Sequence, residues 1–457
     1  MKKFSYAIMF ATLPIYYANA VEVDTSAEFR NALANGDNIV LGADITVSDT
    51  ENGVTWDTPV FNSGSSNNNI TINGNGHTIY GGDIETNMFR NWKTIDSIEN
   101  ITFVGFYNDP EVSASGDDEL SAVIMNVGKI NKIDANFYNN TAYHGAAIFN
   151  GSGYEIGSIN GNFIGNKTIG ATWEHGHEAS GAAIHNQGHI KNITGYFKNN
   201  NGWMHGTIWN YGTIDNITAT FEENYRSAVG GNGGSVTITN SKFIKNTTWQ
   251  GRENNGQAGA AIHSYGTNFT IKETEFTENS AWWTGGAIYS TWGSLNISDS
   301  TFTKNSAGEE GGAILKTGGT GIISNTTFTS NSGRNGSAIY NTTNTTINDS
   351  SFDSNSSSYG NGGAIYNCGT LTISNSEIIG NKASVGGAIY ATANSSSTLT
   401  NVDIKNNTSS NAQAGAVHSL ANITLQADGK DMSVSGNNAN TNQTAVYMAT
   451  ADRTLYL

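Results

Sequence analysis

One short pattern recurs along most of this chain: an aromatic or aliphatic residue, then Asn three positions later, then a step that reads Gly-Gly-Ala-Ile or a close variant. Intervals of 22 to 34 residues, most often 26, separate successive copies. A repeat of this length is typical of a solenoid, in which each unit contacts only its neighbours. The first residue of the pattern occurs at Phe137, Phe163, Phe197, Phe221, Phe243, Phe276, Phe302, Phe328, Phe352, Ile378, Ile404 and Val434.

Each unit contains two short segments in which apolar and polar residues alternate. In one of them, Leu371 and Ile373 share one face of a strand, while Thr372 and Ser374 share the other. One unit cannot bury its apolar face alone, but neighbours stacked ~4.8 Å apart can. Because crossovers between parallel strands are overwhelmingly right-handed, the sequence predicts an all-β, right-handed parallel β-helix.

The recurrent Asn and Gly residues have structural explanations. Asn tolerates the left-handed backbone of a turn and can hydrogen-bond to the equivalent Asn of the next coil. Gly just before Ala-Ile permits a tight turn. We therefore expect both to serve the fold rather than chemistry. The Asn column includes Asn279, Asn305, Asn331, Asn355, Asn381, Asn407 and Asn437.

Residues 1–20 have the features of a secretory signal peptide. Lys2 and Lys3 precede an apolar run, and Ala18-Asn19-Ala20 matches a cleavage site. The mature chain is expected to begin at Val21 and to be exported.

Residues 21–37 are expected to form an N-terminal cap over the first coil. Thr25 is a candidate N-cap residue, and Glu28 is placed to complete a capping box. Phe29 and Leu33 lie four positions apart, and a glycine ends the segment. The sequence thus predicts one short capping helix at this end of the solenoid.

The parallel β-helix is expected to occupy residues 38–457. The chain stops at Leu457 on a strand-like segment that has no comparable cap. An uncovered strand edge invites pairing with another strand. We therefore expect either that the sequence is a fragment or that a partner covers this edge.

The charge of the chain restricts its partners. It has 22 Lys and Arg against 38 Asp and Glu, a net charge of −16 at pH 7, and loss of the signal peptide makes the charge more negative. Such a surface repels nucleic acid and anionic membranes. Cys368 is the single cysteine, which excludes a disulfide framework within the chain.

The paired motifs resemble the repeats of chlamydial-type polymorphic outer-membrane proteins and, more broadly, the passenger domains of bacterial autotransporter adhesins. The resemblance covers roughly residues 103–447, and its clearest Gly-Gly-Ala-Ile copies begin at Gly285, Gly311, Gly362 and Gly386. It implies an extracellular adhesive passenger and a C-terminal outer-membrane translocator barrel. This sequence departs from that pattern, since it contains no series of alternating ten-residue strands near its end. We expect the translocator barrel to be missing from this chain.

The residue after each Ala-Ile step is expected to face outward and to form a column along the solenoid. Such a column could be a stabilising aromatic ladder shielded by loops, or an adhesive strip for glycans or proteins. The sequence leaves both interpretations open. The column comprises Phe149, His185, Trp209, His263, Tyr289, Leu315, Tyr340, Tyr366, Tyr390, His418 and Tyr447.

Seven of the nine tryptophans lie between residues 173 and 292, mostly in loops that follow the recurrent Asn. Stacking would place equivalent loops on one side, beside the column, as an aromatic patch suited to sugars. Alternatively, each indole covers its own coil. The candidate binding patch comprises Trp173, His185, Trp203, Trp209, Trp249, His263, Trp282, Trp283, Tyr289 and Trp292, with His175, His177 and His205 nearby.

An enzymatic function needs a different pattern of residues. Secreted β-helices that resemble pectate lyases or polygalacturonases use clustered carboxylates. Asp299 and Asp349 occupy matching repeat positions, where they are expected to replace Asn in turns. The one dense ionisable cluster is at residues 173–178, where His175 and His177 are weak candidates for metal ligands.

The sequence therefore predicts an exported adhesin or autotransporter-type passenger at the outer-membrane surface or outside the cell. We expect it to bind glycans or surface proteins, and to have no catalytic residues, cofactor, metal or nucleic-acid partner. The alternative is a secreted polysaccharide lyase or glycoside hydrolase of the pectate-lyase-like class.

Overall fold

The computed structural model describes residues 20–47, 50–51, 54–55, 69–82, 89–108, 123–169, 179–248, 258–411, 414–430, 432–440, 445–448 and 455–456. Within them the chain forms a series of coils, which we call rungs. Strands of neighbouring rungs pair in parallel and in register, as Ile288 pairs with Ile314 and Ile339 with Ile365. This is the predicted parallel β-helix.

Among the described residues, a sheet of 27 strands, the first sheet, runs along one side of the solenoid. Its strands are Ala20–Val23, Asn38–Leu41, Ile45–Thr46, Ile70–Asn73, Thr78–Tyr80, Thr94–Val104, Lys129–Tyr138, Glu155–Ile164, His189–Lys198, Thr213–Glu222, Ser235–Thr239, Lys242–Ile244, Asn268–Lys272, Glu275–Thr277, Leu295–Ser298, Thr301–Thr303, Thr320–Ser324, Thr327–Thr329, Asn344–Asn348, Ser351–Asp353, Thr370–Ser374, Glu377–Ile379, Ser396–Thr400, Asp403–Lys405, Ile423–Gln426, Val434–Ser435 and Leu455–Tyr456.

A sheet of 14 strands, the second sheet, is built from the Ala-Ile steps. Its strands are Phe89–Asn91, Ile124–Asn126, Ile148–Asn150, Ile184–Asn186, Ile208–Asn210, Val229–Asn232, Ile262–Tyr265, Ile288–Thr291, Ile314–Thr317, Ile339–Asn341, Ile365–Asn367, Ile389–Ala391, Val417–Ser419 and Val446–Met448.

Two-residue strands form a third face between these sheets, and one antiparallel hairpin lies near the N-terminus. The third-face strands are Thr141–Ala142, Lys167–Thr168, Ser280–Ala281, Ser306–Ala307, Lys382–Ala383, Thr408–Ser409 and Asn438–Ala439, and the hairpin joins Thr50–Glu51 to Val54–Thr55.

The alternation predicted for each rung is confirmed. Leu371 and Ile373 are buried, while Thr372 and Ser374 on the opposite face are partly exposed. The recurrent phenylalanines stack inside the solenoid from Phe103 to Phe352, with centroid separations of 4.5 to 5.2 Å between neighbours. Stacking of equivalent residues therefore produces one continuous core.

A ladder of buried asparagines runs beside the phenylalanine stack. The Nδ2 of Asn305 donates to the Oδ1 of Asn331 (3.0 Å) and to the carbonyl of Phe276 (2.9 Å). Its Oδ1 accepts from both the backbone N–H and the Nδ2 of Asn279 (3.0 and 2.9 Å). The same bonds recur from Asn140 to Asn437. The predicted Asn column is confirmed.

The left-handed backbone lies one residue before the ladder, not at the ladder Asn itself. Glu278, Lys304 and Ser330 have φ of 57°, 54° and 56°. The ladder Asn is thus fixed by its hydrogen bonds, while its predecessor makes the corner. The glycine explanation is confirmed, since Gly285 has φ 60° and an added Cβ would meet the carbonyl of Ile288.

A second left-handed corner divides the first sheet in the later rungs. Asp299 and Asp349 have φ of 53° and 50°, and Asn325 and Asn375 have φ of 45° and 48° at the same corner. The Nδ2 of Asn325 donates to the Oδ1 of Asp299 (2.7 Å). The prediction that these two aspartates replace Asn in turns is confirmed.

The predicted capping helix spans Ser26–Asn35. Thr25 and Glu28 form the capping box, and Gly36 ends the helix with φ 75°. Phe29 and Leu33 are buried in the core of the solenoid. One feature differs from expectation, because strand Ala20–Val23 precedes the helix and pairs with Asn38–Leu41. The helix is therefore a connection within the first coil rather than a segment before it.

We expect Asn305→Ala to lower the free energy of unfolding by roughly 3 kcal/mol or more, because it leaves several buried polar groups without partners at about 1–3 kcal/mol each. Urea denaturation followed by circular dichroism measures this change. The control is Lys304→Gly, an exposed left-handed position where Gly is at least as stable. Equal stability of Asn305→Ala and the unmodified protein would contradict the ladder's role.

Candidate functional site

The predicted column of outer residues exists, but much of it is covered. Its members pair in register along the second sheet, except that Gly230 stands between Trp209 and His263 in the row. Phe149, His185, Trp209, His263 and His418 are buried. The tyrosines of the column are partly exposed. The row therefore combines buried side chains with partly exposed tyrosines.

The C-terminal part of the column is a stacked ladder. Ring centroids lie 4.9 Å apart between Tyr340 and Tyr366, 5.0 Å between Tyr366 and Tyr390, and 5.1 Å between Tyr390 and His418. Stacked pairs of this kind each add about 0.5–1.5 kcal/mol beyond burial. Burial raises the pKa of Tyr366 to about 12, so its hydroxyl stays protonated. This part of the column stabilises the fold.

Two members of the predicted patch are packed beneath other side chains. His185 stacks on Phe149 at 5.0 Å, and its Nδ1 lies 2.8 Å from the hydroxyl of Ser180. Burial holds the pKa of His185 well below its usual value. Trp209 stacks on His205 at 4.0 Å and is buried. Neither side chain offers surface to a ligand.

Part of the column borders an open groove of about 430 Å³, which we call the aromatic groove. It crosses four consecutive rungs of the second sheet, a length of about 14 Å along the solenoid axis. It is lined by Ala258, His263, Tyr265, Trp283, Thr284, Tyr289, Glu310, Leu315, Thr317, Tyr340 and Thr342.

His263 lies buried in the lining of the groove and supplies a hydrogen-bond acceptor. Its Nδ1 lies 2.9 Å from the carbonyl oxygen of Ala258, and a carbonyl can only accept, so Nδ1 carries the proton. The Nε2 of His263 has no hydrogen-bond partner in the described structure. Burial lowers the pKa of His263 to about 4, so the ring is neutral at pH 7.

Glu310 contributes a half-buried carboxylate. It directly precedes Gly311, whose left-handed turn begins the strand Ile314–Thr317. Burial, and then the neighbouring charge of Glu309, raise the pKa of Glu310. Glu309 is itself ion-paired with Arg334 (Nη1 to Oε2, 2.9 Å).

Trp283 lines the groove from a loop of the adjacent rung. Its side chain is 45% exposed, and its backbone carbonyl accepts a hydrogen bond from the N–H of Glu309 (2.7 Å). Trp282 is similarly exposed, at 51%, but does not line the groove. The two neighbouring indoles therefore have different surroundings.

The other predicted tryptophans are not part of the groove. Trp292 is 75% exposed at the end of its strand, where it has φ 56° and contacts Gly318. Trp203 is 49% exposed, and its backbone N–H is bonded to a threonine hydroxyl of the preceding rung in the same way as that of Trp282. Trp173 and Trp249, like His175 and His177, lie outside the described residues.

The structure thus brings together His263, Trp283 and Tyr289 from the predicted patch. Sequence reasoning missed Tyr265 and Glu310. A signal for Glu310 was present, because the residue before each glycine turn lies at the outer edge of the second sheet. When the repeats are aligned on that glycine, Glu310 is a charged residue at a position that Ala258, Thr284, Asn335 and Asn361 occupy in the neighbouring rungs.

Lys316 supports the groove from inside the solenoid. Its neighbours Leu315 and Thr317 line the groove, while its own side chain is buried. Its Nζ donates to the carbonyls of Gly293 (2.7 Å) and Gly318 (2.6 Å), which lie on two successive rungs. Burial lowers the pKa of Lys316 to about 8. The ammonium group therefore joins two turns beneath the lining.

Among the described residues, no group of three or more His, Cys, Asp and Glu side chains is placed to hold a metal ion. No helix in this part of the chain has the length and apolar character needed to cross a membrane.

Comparison with known proteins supports the fold. A family model described as a right-handed β-helix region matches residues 286–456. Together with the parallel strands and the one short helix of the described residues, this match confirms a right-handed parallel β-helix with an N-terminal capping helix. No curated protein and no solved structure matches the chain significantly.

We expect Lys316→Met to lower the free energy of unfolding by roughly 1–3 kcal/mol, because the carbonyls of Gly293 and Gly318 lose their charged donor. The matched control is Lys304→Met, where the side chain is 63% exposed and the change should stay within about 0.5 kcal/mol. Thermal denaturation compares the two. Equal melting temperatures would show that Lys316 does not hold these turns.

Proposed function

We propose that the chain is an exported, cell-surface adhesin or autotransporter-type passenger that binds glycans through the aromatic groove. The single observation that carries this proposal is the concentration of Trp283, Tyr289, Tyr265 and Tyr340 around one open groove. Exposed aromatic surface with a few placed polar groups is typical of binding sites. The resemblance of the repeats to those of polymorphic outer-membrane proteins supports the adhesive and extracellular parts of the proposal.

The groove has the components that sugar recognition requires. The indole face of Trp283 is accessible to an apolar face of a sugar ring. The Glu310 carboxylate and the threonine hydroxyls can bond to sugar hydroxyls. A rigid sheet holds these groups in place, so little ordering of the protein is needed on binding.

A polysaccharide-degrading enzyme is the second candidate, and one observation favours it. Glu310 is half-buried with a raised pKa, as a general acid requires. Glycoside hydrolysis commonly needs a second carboxylate near the first. Glu309, its neighbour in the chain, is paired with Arg334. The arrangement therefore supports binding better than hydrolysis.

We expect Trp283→Ala to weaken glycan binding about tenfold or more, since truncating an aromatic anchor commonly costs roughly 2 kcal/mol. A glycan array identifies a bound oligosaccharide, and isothermal titration calorimetry measures its Kd. The melting temperature should stay nearly constant, because the indole is half-exposed.

Trp282→Ala is the matched control, because this indole is adjacent and equally exposed but does not line the groove. It should leave the Kd unchanged. Equal losses of affinity in both variants would contradict the assignment of glycan binding to the groove. Release of reducing ends or unsaturated sugars from a polysaccharide, abolished by Glu310→Gln, would favour the enzyme instead.

A further inference from the structure

We propose that the aromatic groove recognises a sugar that carries a free ammonium group, a hexosamine unit, with Glu310 as its counter-ion. This inference rests on the proposed function and specifies the class of glycan. It follows from three properties of the groove: the unpaired carboxylate of Glu310, the aromatic walls and the lack of cations among the described lining residues.

Two acceptors of the groove lining, the Glu310 carboxylate and His263 Nε2, have no hydrogen-bond or ion-pair partner among the described residues. Arg334, the cation whose charge acts on Glu310, is bonded to Glu309 instead, at 2.9 Å. No ion pair joins Glu310 to another described residue. His263 has its Nδ1 proton committed to a backbone carbonyl, which leaves the Nε2 lone pair unpartnered in a buried ring. A ligand in the groove that supplies donors satisfies the partly exposed Glu310 carboxylate.

Because the Glu310 carboxylate is partly buried, the strength of its interaction with a ligand depends on the charge of that ligand. A carboxylate withdrawn from water is costly unless it is paired with a charge or with strong donors. An ammonium group offers three N–H donors and a full positive charge, whereas a neutral hydroxyl offers one donor. Hydrogen bonds to charged groups are the stronger kind. Glu310 therefore gains more from an amine than from a neutral sugar.

The aromatic walls fit the same ligand. His263 and Tyr289 have centroids 5.0 Å apart, and Tyr265 meets Tyr289 edge to face at 6.1 Å. Trp283 lines the same groove. Ring faces attract a cation through their quadrupole, most strongly when water is excluded. The aromatic rings and the Glu310 carboxylate therefore both attract the ammonium group of the ligand.

The described lining contains no Lys or Arg. Lys316, in one of the four rungs, turns inward and donates to Gly293 and Gly318. A uronate or sulfated sugar would find no counter-charge in this lining and would meet the charge of Glu310. The net charge of −16 likewise attracts cationic ligands and repels anionic ones.

The test compares oligomers of glucosamine with N-acetylglucosamine oligomers of the same length at mildly acidic pH, where the sugar amines are protonated, using the full chain and isothermal titration calorimetry. We expect the amine form to bind about tenfold more tightly, because acetylation removes the charged hydrogen bond. Glu310→Gln keeps the size and shape of the side chain but removes its charge, so the ratio of the two affinities should fall to about one. Glu377→Gln, which neutralises an exposed carboxylate of the first sheet outside the lining, is the control and should leave the ratio unchanged.

The outcomes separate this inference from the proposed function. Equal binding of both oligomers, or an unchanged preference in Glu310→Gln, would overturn the amine assignment and leave glycan binding intact. Failure of every glycan to bind would overturn both proposals. Tight binding of a lysine-rich peptide without binding of glucosamine oligomers would assign the groove to a protein partner and overturn the sugar assignment.

Discussion

The hydrogen bond from one buried Asn side chain to the next is the interaction on which the rest of this structure depends. Each ladder Asn uses its amide both as a donor and as an acceptor, so it satisfies groups on the rungs before and after it. A slip of one residue would leave these groups unpaired in the interior and would turn every apolar side chain outward. The ladder thus fixes register more strictly than apolar packing alone, because stacked phenylalanines tolerate small displacements.

Register in turn determines the outer surface. When rungs align, each outward position becomes a row, and the character of the surface follows from the residues in that row. From Tyr340 onward the row is a continuous stack of rings whose centroids lie about 5 Å apart. Between His263 and Tyr340, Leu315 interrupts the rings and the surface opens as the groove. The proposed binding surface requires no catalytic geometry, only an interruption of a repeating pattern on a rigid support.

Most of the fold could be predicted from the repeat, because Phe276, Asn279 and Gly285 each occupy a position that recurs with one physical role. The burial of His185 and Trp209 could not, since it depends on how loops of unequal length fold over the second sheet. The role of Lys316 was also hidden, because it stands at a position where Asn and Ser are found in other rungs. The site was predicted only in part, since the carboxylate of Glu310 was not considered with the aromatic residues.

The central functional claim is that in-register stacking of four rungs creates a groove in which a sugar ring lies against aromatic side chains. A crystal structure of the chain with a bound glycan oligomer tests this most directly. The account predicts electron density for a sugar ring on the indole of Trp283, with a ligand nitrogen or hydroxyl within hydrogen-bonding distance of Glu310. Sugar bound instead on the threonine-rich outer face of the first sheet, with the groove holding only water, would contradict it.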